Sequence, residues 1–157
     1  MLSVGILGSG YGSSVHLPAI INTKKFKIGG IVSKKKIGSI EVFNSVKQLI
    51  EKKPIDIILI STPPSTHLKI GKEIIRTNKA ILFEKPFCLN FNEAKELNIL
   101  LRNNKIKHCV GYQFRYEIVL NKLKKKIKKI GDVKKIKINW IVKKKHLGID
   151  SWKNFNK

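Results

Sequence analysis

The sequence is poor in several residue types, and each shortage excludes a class of protein. Its 157 residues include two cysteines, Cys88 and Cys109, so neither a disulfide framework nor a metal site is expected. No apolar run approaches the ~20 residues that a membrane span needs, and the N-terminus lacks a secretory signal. These absences predict a cytoplasmic protein that binds no metal and no membrane. The length allows one full core, or one domain and part of another.

Acidic residues and arginine are also scarce, although the chain is strongly basic. Ten acidic residues oppose 33 basic ones, for a formal net charge of +23, and only Arg76, Arg102 and Arg115 are arginine. Arginine is the residue that reads bases and phosphates through paired hydrogen bonds, whereas these lysines are spread along the whole chain. We interpret the charge as a solvated surface with no specific nucleic-acid partner. A polyanion-binding protein is the alternative, and its affinity would survive physiological salt.

Short apolar runs that alternate with helical patterns predict the fold class. The runs at residues 3–7, 55–60 and 80–83 are typical of strands buried on both faces. Strands and helices alternate up to about Tyr116, which favours a doubly wound parallel sheet of the α/β class. We therefore predict one α/β domain over residues 1–116.

The pattern then changes. A lysine-rich helix follows, with an expected inner face that includes Ile118, Leu120 and Leu123. Residues Val133–Val142 alternate polar and apolar side chains, which predicts a strand with one wet face. We interpret residues 117–157 as the start of a truncated α+β domain.

A glycine-rich turn joins the first predicted strand to the first predicted helix. The run Gly8-Ser9-Gly10-Tyr11-Gly12-Ser13 departs from the G-x-G-x-x-G pattern only in having Ser13 at the third glycine position. Gly8 can make the tight turn, and Gly10 lets a pyrophosphate approach the backbone at a helix start. We therefore predict that a Rossmann-type dinucleotide site is formed by Gly8, Gly10, Tyr11, Gly12 and Ser13. The alternative is a turn that is merely tight.

No acid stands where dinucleotide-binding proteins hold the ribose 2′-hydroxyl of NAD. Ser33 lies about 20 positions after Ser13, where that acid is expected, and Lys34, Lys35 and Lys36 follow it. A hydroxyl beside cations suits a 2′-phosphate. We predict that Ser33 and Lys34 favour NADP. NAD stays the alternative if these lysines belong only to the general surface bias.

The tripeptide Glu84-Lys85-Pro86 follows the apolar run at residues 80–83. An acid, a base and a rigid imino acid at the end of a buried strand serve no need of a core. Such strand ends are where ligands bind and catalytic side chains stand in α/β sheets. The alternative is an ordinary solvated ion pair in a loop.

Four segments, taken together, resemble the Gfo/Idh/MocA oxidoreductases in their order and spacing. The segments are residues 8–12 with His16-Leu17-Pro18-Ala19, Asp56 to His67, Glu84-Lys85-Pro86, and Gly111 to Tyr116. The resemblance covers residues 1 to about 116. It implies hydride transfer between a nicotinamide cofactor and a sugar- or polyol-type alcohol or ketone. It also implies a following sheet domain through which the intact enzyme forms homo-oligomers.

The resemblance also implies roles for matching residues. Lys85 would bind the substrate hydroxyl and stabilise its alkoxide character as hydride leaves. Glu84 would contact the cofactor near its ribose. Thr62, Pro63 and His67 would line the nicotinamide half of the cleft. For His67 the alternative is a residue that stabilises its helix start.

The resemblance and its alternatives also bear on four further positions. The bond before Pro86 would be cis, as in relatives. Gln113 and Arg115 would mark the domain junction. His16 is interpreted as a packed or surface histidine rather than a catalyst.

The resemblance is incomplete near Lys157. Trp152-Lys153 resembles the family's Trp-Arg pair near the cofactor, with lysine in place of arginine. In the family, a glycine-rich segment and then an aspartate and a histidine complete the catalytic centre, and this sequence ends before them. We therefore expect an N-terminal fragment that is inactive alone. A non-catalytic nucleotide-binding module is the alternative.

Overall fold

One sheet of six parallel strands organises the first part of the chain. The computed structural model describes residues 1–127, 129–139 and 141. The strands are β1 (Leu2–Leu7), β2 (Phe26–Val32), β3 (Val42–Phe43), β4 (Ile57–Ile60), β5 (Ala80–Phe83) and β6 (His108–Val110). Their order across the sheet is β3-β2-β1-β4-β5-β6, and every neighbouring pair is parallel.

Helices cover both faces of this sheet. A five-residue π-helix (Gly12–His16) continues as α1 (Leu17–Ile21), and the other helices of the sheet's layers are α2 (Val46–Lys52), α3 (His67–Ile75) and α4 (Phe91–Asn103); a further helix, α5 (Ile118–Ile127), follows the last strand in the sequence. One face packs against α2, α3 and α4, and the other packs against α1. The predicted α/β fold with a doubly wound parallel sheet is confirmed. Within the described residues, no helix is long and apolar enough to cross a membrane.

The central strands are buried on both faces, which explains their continuous apolar sequences. In β4, Ile58 and Ile60 belong to the core beneath α2, α3 and α4, whereas Leu59 belongs to the core beneath α1. None of these three side chains is more than 2% exposed. The apolar runs that reveal the strands therefore also define the two cores.

By its internal contacts the chain divides into Met1–Tyr112 and Gln113–Lys157. The domain boundary expected after Tyr116 stays a prediction. The lysine-rich helix predicted to follow it forms as α5. Its expected inner face is nevertheless exposed, with Ile118 at 69% and Leu123 at 50% exposure. The helix was predicted correctly but the burial was not, because the described residues of this unit leave that face largely open to solvent.

The strand predicted over Val133–Val142 does not form at residues 133–139 and 141, where the backbone has no regular secondary structure. A strand needs a neighbour to satisfy its backbone N–H and C=O groups, and no described residue of this unit pairs with it. Alternation of polar and apolar residues was therefore not sufficient. Trp140 and Val142 lie outside the described residues.

Candidate functional site

The site is built where the chain reverses its direction across the sheet. β1 and β4 are neighbours, with Leu7 paired to Ile60, and their loops leave the same carboxyl edge toward opposite sides. In doubly wound sheets, ligands bind at this switch point between the two loops. The loop after β1 is the glycine-rich turn, and the loop after β4 carries Thr62 and Pro63.

Gly8 makes the turn out of β1, as its sequence position predicts. Its φ is +106°, a conformation that side chains other than glycine rarely adopt. A Cβ there would also lie 2.8 Å from the carbonyl oxygen of Ser61. Ser61 is held in turn by Leu7, whose carbonyl oxygen accepts from the Ser61 N–H and from its hydroxyl, both at 2.9 Å. The two loops therefore meet backbone to backbone.

The other two glycines of the turn differ in what the fold requires of them. Gly12 is buried, and a Cβ there would lie 2.8 Å from Cγ2 of Ile6, so the packing of the helix on β1 requires glycine. A Cβ at Gly10 would meet nothing within 4 Å, and the φ of Gly10 is not positive. Neither packing nor backbone conformation explains Gly10. A bare backbone facing open space fits the approach of a phosphate group.

Ser13 fills the third glycine position without disturbing the turn. Its side chain is half-buried, and its hydroxyl donates to the carbonyl oxygen of Ser9. The backbone N–H groups of Ser13 and Ser14 both donate to the carbonyl oxygen of Gly10, at 3.2 and 3.1 Å. The serine therefore closes the helix start through its own hydrogen bonds.

The position expected to select the cofactor lies directly after β2. Ser33 is half-buried, and its hydroxyl accepts a hydrogen bond from the Lys35 N–H at 2.9 Å. Lys34 is exposed, and residues 33–36 include no acid. The first acid beyond them, Glu41, pairs with Lys53 at 2.6 Å. The local charge at this strand end is therefore positive.

The loop after β4 is shaped by its own hydrogen bonds. The hydroxyls of Thr62 and Thr66 lie 2.6 Å apart, and the Thr66 hydroxyl and N–H both bond to the carbonyl oxygen of Pro63, at 2.7 and 2.9 Å. These bonds form the turn that leads into α3. Pro63 is exposed and Thr62 half-buried, so both remain open to a ligand at the sheet edge.

His67 is placed differently from these neighbours. Its side chain is fully buried, with Nε2 lying 2.9 Å from the carbonyl oxygen of Thr62 and Nδ1 lying 3.1 Å from that of Phe87. A neutral imidazole can donate to one of these oxygens, and an imidazolium to both. The ring joins the loop after β4 to the loop after β5. His67 therefore does not contact a cofactor in the cleft directly. It can affect a bound cofactor only by fixing the backbone of the two loops that its ring joins.

The Glu84-Lys85-Pro86 turn begins where β5 ends. The Glu84 N–H donates to the carbonyl oxygen of Ile60 at 2.8 Å, and the Lys85–Pro86 bond is cis, as the resemblance implied. The Glu84 side chain is nearly buried, whereas Lys85 is exposed. The turn thus carries a fixed acid beside an accessible cation.

Both carboxylate oxygens of Glu84 are occupied. His16 Nε2 lies 2.7 Å from Oε1 and donates to it, and the Lys85 N–H donates to Oε2 at 3.1 Å. Burial raises the pKa of Glu84, but these bonds and the charges of His16 and Lys85 outweigh it and hold the pKa below its ordinary value of 4.5. The pair therefore stabilises the fold above pH 4.5, and that contribution is lost as the pH falls through the lowered pKa.

His16 is the site residue that sequence reasoning missed. It ends the π-helix that begins at Gly12, and Glu84 lies 68 residues further along the chain. A lone histidine on a short helix gives no sign of such a partner.

Trp152 and Lys153 lie outside the described residues. In the described ranges, no group of three or more His, Cys, Asp or Glu side chains could hold a metal ion.

The strand order, the glycine turn and the switch-point loops together define a Rossmann domain of the dinucleotide-binding class. A family model described as "Oxidoreductase family, NAD-binding Rossmann fold", that of Gfo/Idh/MocA, matches residues 2–112. The chain belongs to this family.

Individual relatives agree with the family assignment. An uncharacterized oxidoreductase of Synechocystis is 27% identical over an aligned length of 154, and the match covers 90% of this chain and 41% of that protein. Glucose-6-phosphate 3-dehydrogenase of Bacillus subtilis is 22% identical over 89% of this chain and 42% of that protein. The crystal structure of apo scyllo-inositol dehydrogenase from Lactobacillus casei has the same fold, with a TM-score of 0.74 at 23% identity over 84% of this chain and 43% of the other. The chain thus spans about two fifths of the length of these proteins.

Replacing His67 by alanine should destabilise the domain by about 2–4 kcal/mol, because a cavity forms and the two loops that the buried ring joins lose its hydrogen bonding. Urea unfolding followed by circular dichroism measures this free energy. His108 offers a matched control: it is half-buried, its Nδ1 faces only the Ile106 carbonyl oxygen at 2.8 Å, and His108→Ala should cost about 0.5–1.5 kcal/mol. Equal losses for the two variants would contradict a joining role for His67.

Proposed function

We propose that this chain binds NADP as the nucleotide-binding part of an oxidoreductase acting on a sugar- or polyol-type alcohol or ketone. The main support is Gly10, a glycine that the fold itself does not require. A bound pyrophosphate would use its open backbone, together with Gly8, Tyr11, Gly12 and Ser13. The helix start behind the turn favours negative charge at that place.

The remaining predicted contacts place the two ends of the cofactor on opposite sides of the switch point. Ser33 and Lys34 would hold the adenosine end, where a positive strand end favours a 2′-phosphate. Thr62 and Pro63 would line the nicotinamide half, and Glu84 would lie near its ribose. These groups all follow strands at the carboxyl edge of one sheet, which supports a single elongated ligand.

Lys85 is the proposed catalytic residue. The nicotinamide supplies the hydride chemistry when bound. The contribution of Lys85 is its ammonium group, which lowers the cost of negative charge on the substrate oxygen. Its exposure permits contact with a substrate, and the buried Glu84 beside it keeps its backbone in place.

The substrate class is supported by a relative rather than by this chain's own residues. The Bacillus subtilis relative is named glucose-6-phosphate 3-dehydrogenase. The hydroxyl group on carbon 3 of this sugar is a secondary alcohol. We further propose that the intact enzyme is a homo-oligomer and that turnover needs more than these 157 residues.

Gly10→Ala should weaken NADPH binding by at least about tenfold, because the added methyl group blocks close approach of the pyrophosphate. The free energy of unfolding should stay within about 0.5 kcal/mol of wild type, since that methyl group meets no protein atom. Calorimetry measures the first quantity and urea unfolding the second. Gly12→Ala is the comparison: it should reduce stability as well, because its Cβ meets Ile6. Unchanged NADPH affinity in Gly10→Ala would refute the proposed site.

The preference for NADP is tested by titrating the chain with NADPH and NADH separately. NADPH should bind more tightly, and Lys34→Ala should reduce the ratio of the two affinities by removing a charge from the 2′-phosphate. Lys24→Ala removes another exposed lysine, which lies before strand β2 rather than after it, and should leave the ratio unchanged. Tighter binding of NADH by the wild type, or equal effects of the two variants, would overturn this preference.

The isolated 157-residue chain should bind NADPH but produce none from NADP and a panel of polyols and sugars. Absorbance at the wavelength of the reduced nicotinamide measures this turnover. Lys85→Ala is the control for trace activity. NADPH production by the wild type that disappears in Lys85→Ala would show that the chain is catalytically sufficient and would also support Lys85 as the catalytic residue.

A further inference from the structure

The Glu84 carboxylate is a junction between two distant parts of the chain. It is 8% exposed, and its two oxygens bind different partners: His16 Nε2 on one and the Lys85 N–H on the other. Gly111 packs against it so closely that a Cβ there would lie 3.1 Å from Oε1. The carboxylate therefore has little room to rotate without losing one of its partners.

His16 reaches this junction from the glycine turn. It is the last residue of the helix that begins at Gly12, and its half-buried ring packs edge-on against Tyr11 with centroids 5.2 Å apart. Tyr11 and Gly12 belong to the proposed pyrophosphate site. This short helix thus begins at the glycine turn and ends at His16, the partner of Glu84.

We propose that His16 is a positioning residue that acts through Glu84 on the backbone at Lys85, so that binding at the glycine turn and placement of Lys85 are coupled. The coupling between cofactor binding and the placement of Lys85 rests on the proposed cofactor site. The positioning of the Lys85 backbone by His16, which we call the link, does not depend on that site.

Energetics support the link. A carboxylate this buried is costly unless it is paired, and loss of one partner leaves an uncompensated charge. Without His16, Glu84 would have to turn toward water or take up a proton. Either change weakens its bond to the Lys85 N–H. The ionisable groups that act on Glu84 are His16 and Lys85 themselves, and together they favour the charged carboxylate.

Amide hydrogen exchange near neutral pH tests the link without any cofactor. His16→Phe keeps an aromatic ring but removes the donor, and it should speed exchange of the Lys85 N–H by roughly tenfold or more while strand β4 is unchanged. His16→Gln retains a donor at the same reach and should largely restore protection. His108→Phe is the matched control and should leave Lys85 unaffected. No change at Lys85 in His16→Phe, or equal acceleration of all amides, would overturn the proposal.

A second measurement needs no variant. In an acid titration followed by NMR, the Lys85 amide resonance should move with a midpoint below the ordinary 4.5 of a glutamate, because its N–H donates to the Glu84 carboxylate. A midpoint at or above 4.5, or no movement of this amide, would overturn the proposal.

The coupling is tested by NADPH affinity in a double-mutant cycle. His16→Phe and Glu84→Gln should each weaken binding severalfold, and His16→Phe should cause no further loss in the Glu84→Gln background. Additive losses would contradict the coupling. If the wild type does not bind NADPH at all, the proposed cofactor site fails, and hydrogen exchange still decides whether His16 positions Lys85.

Discussion

The close backbone approach of β1 to β4 at their carboxyl ends determines where everything else in the site can lie. Gly8 turns against the carbonyl of Ser61, and Ser61 bonds back to Leu7, so the two loops leave from one fixed point. A side chain at Gly8 would force them apart. Because the next strand, β5, is paired to β4 with Ile60 opposite Phe83, the Glu84 turn is fixed to the same edge. Backbone contacts alone thus place three loops beside one cleft.

Much of this could be predicted from the sequence because the signals are local. Aliphatic runs reveal the buried strands, since a strand covered on both faces has no polar side. The glycine turn is recognisable because its constraints act within a few residues. The expected inner face of α5 and the strand at Val133–Val142 failed for the opposite reason. The spacing of their apolar residues predicts which side of the helix or strand could be buried. Whether that side is buried, and whether the strand is paired, depends on a partner surface elsewhere in the protein, which the spacing does not reveal.

The histidines show the same limit at the level of the site. His16 and Glu84 are separated by 68 residues, and nothing near His16 in the sequence indicates an acid. His67 could be associated with the site by resemblance, yet its ring is turned inward toward two carbonyl oxygens. Composition and spacing identify a residue's neighbourhood in the chain. Its hydrogen-bond partners depend on which loops the sheet order brings together.

These two histidines act on opposite ends of one short segment. His16 follows the glycine turn and bonds to the Glu84 carboxylate. His67 follows the loop after β4, and its Nδ1 lies beside the carbonyl oxygen of Phe87. Lys85 and Pro86 lie between these two anchored residues. A flexible, exposed lysine is a poor device for placing a charge, because its side chain loses much entropy when it is fixed. Anchoring the backbone on both sides reduces what must still be ordered when a substrate binds. That is a physical reason for a buried acid and a buried histidine to accompany an exposed lysine at the end of a strand.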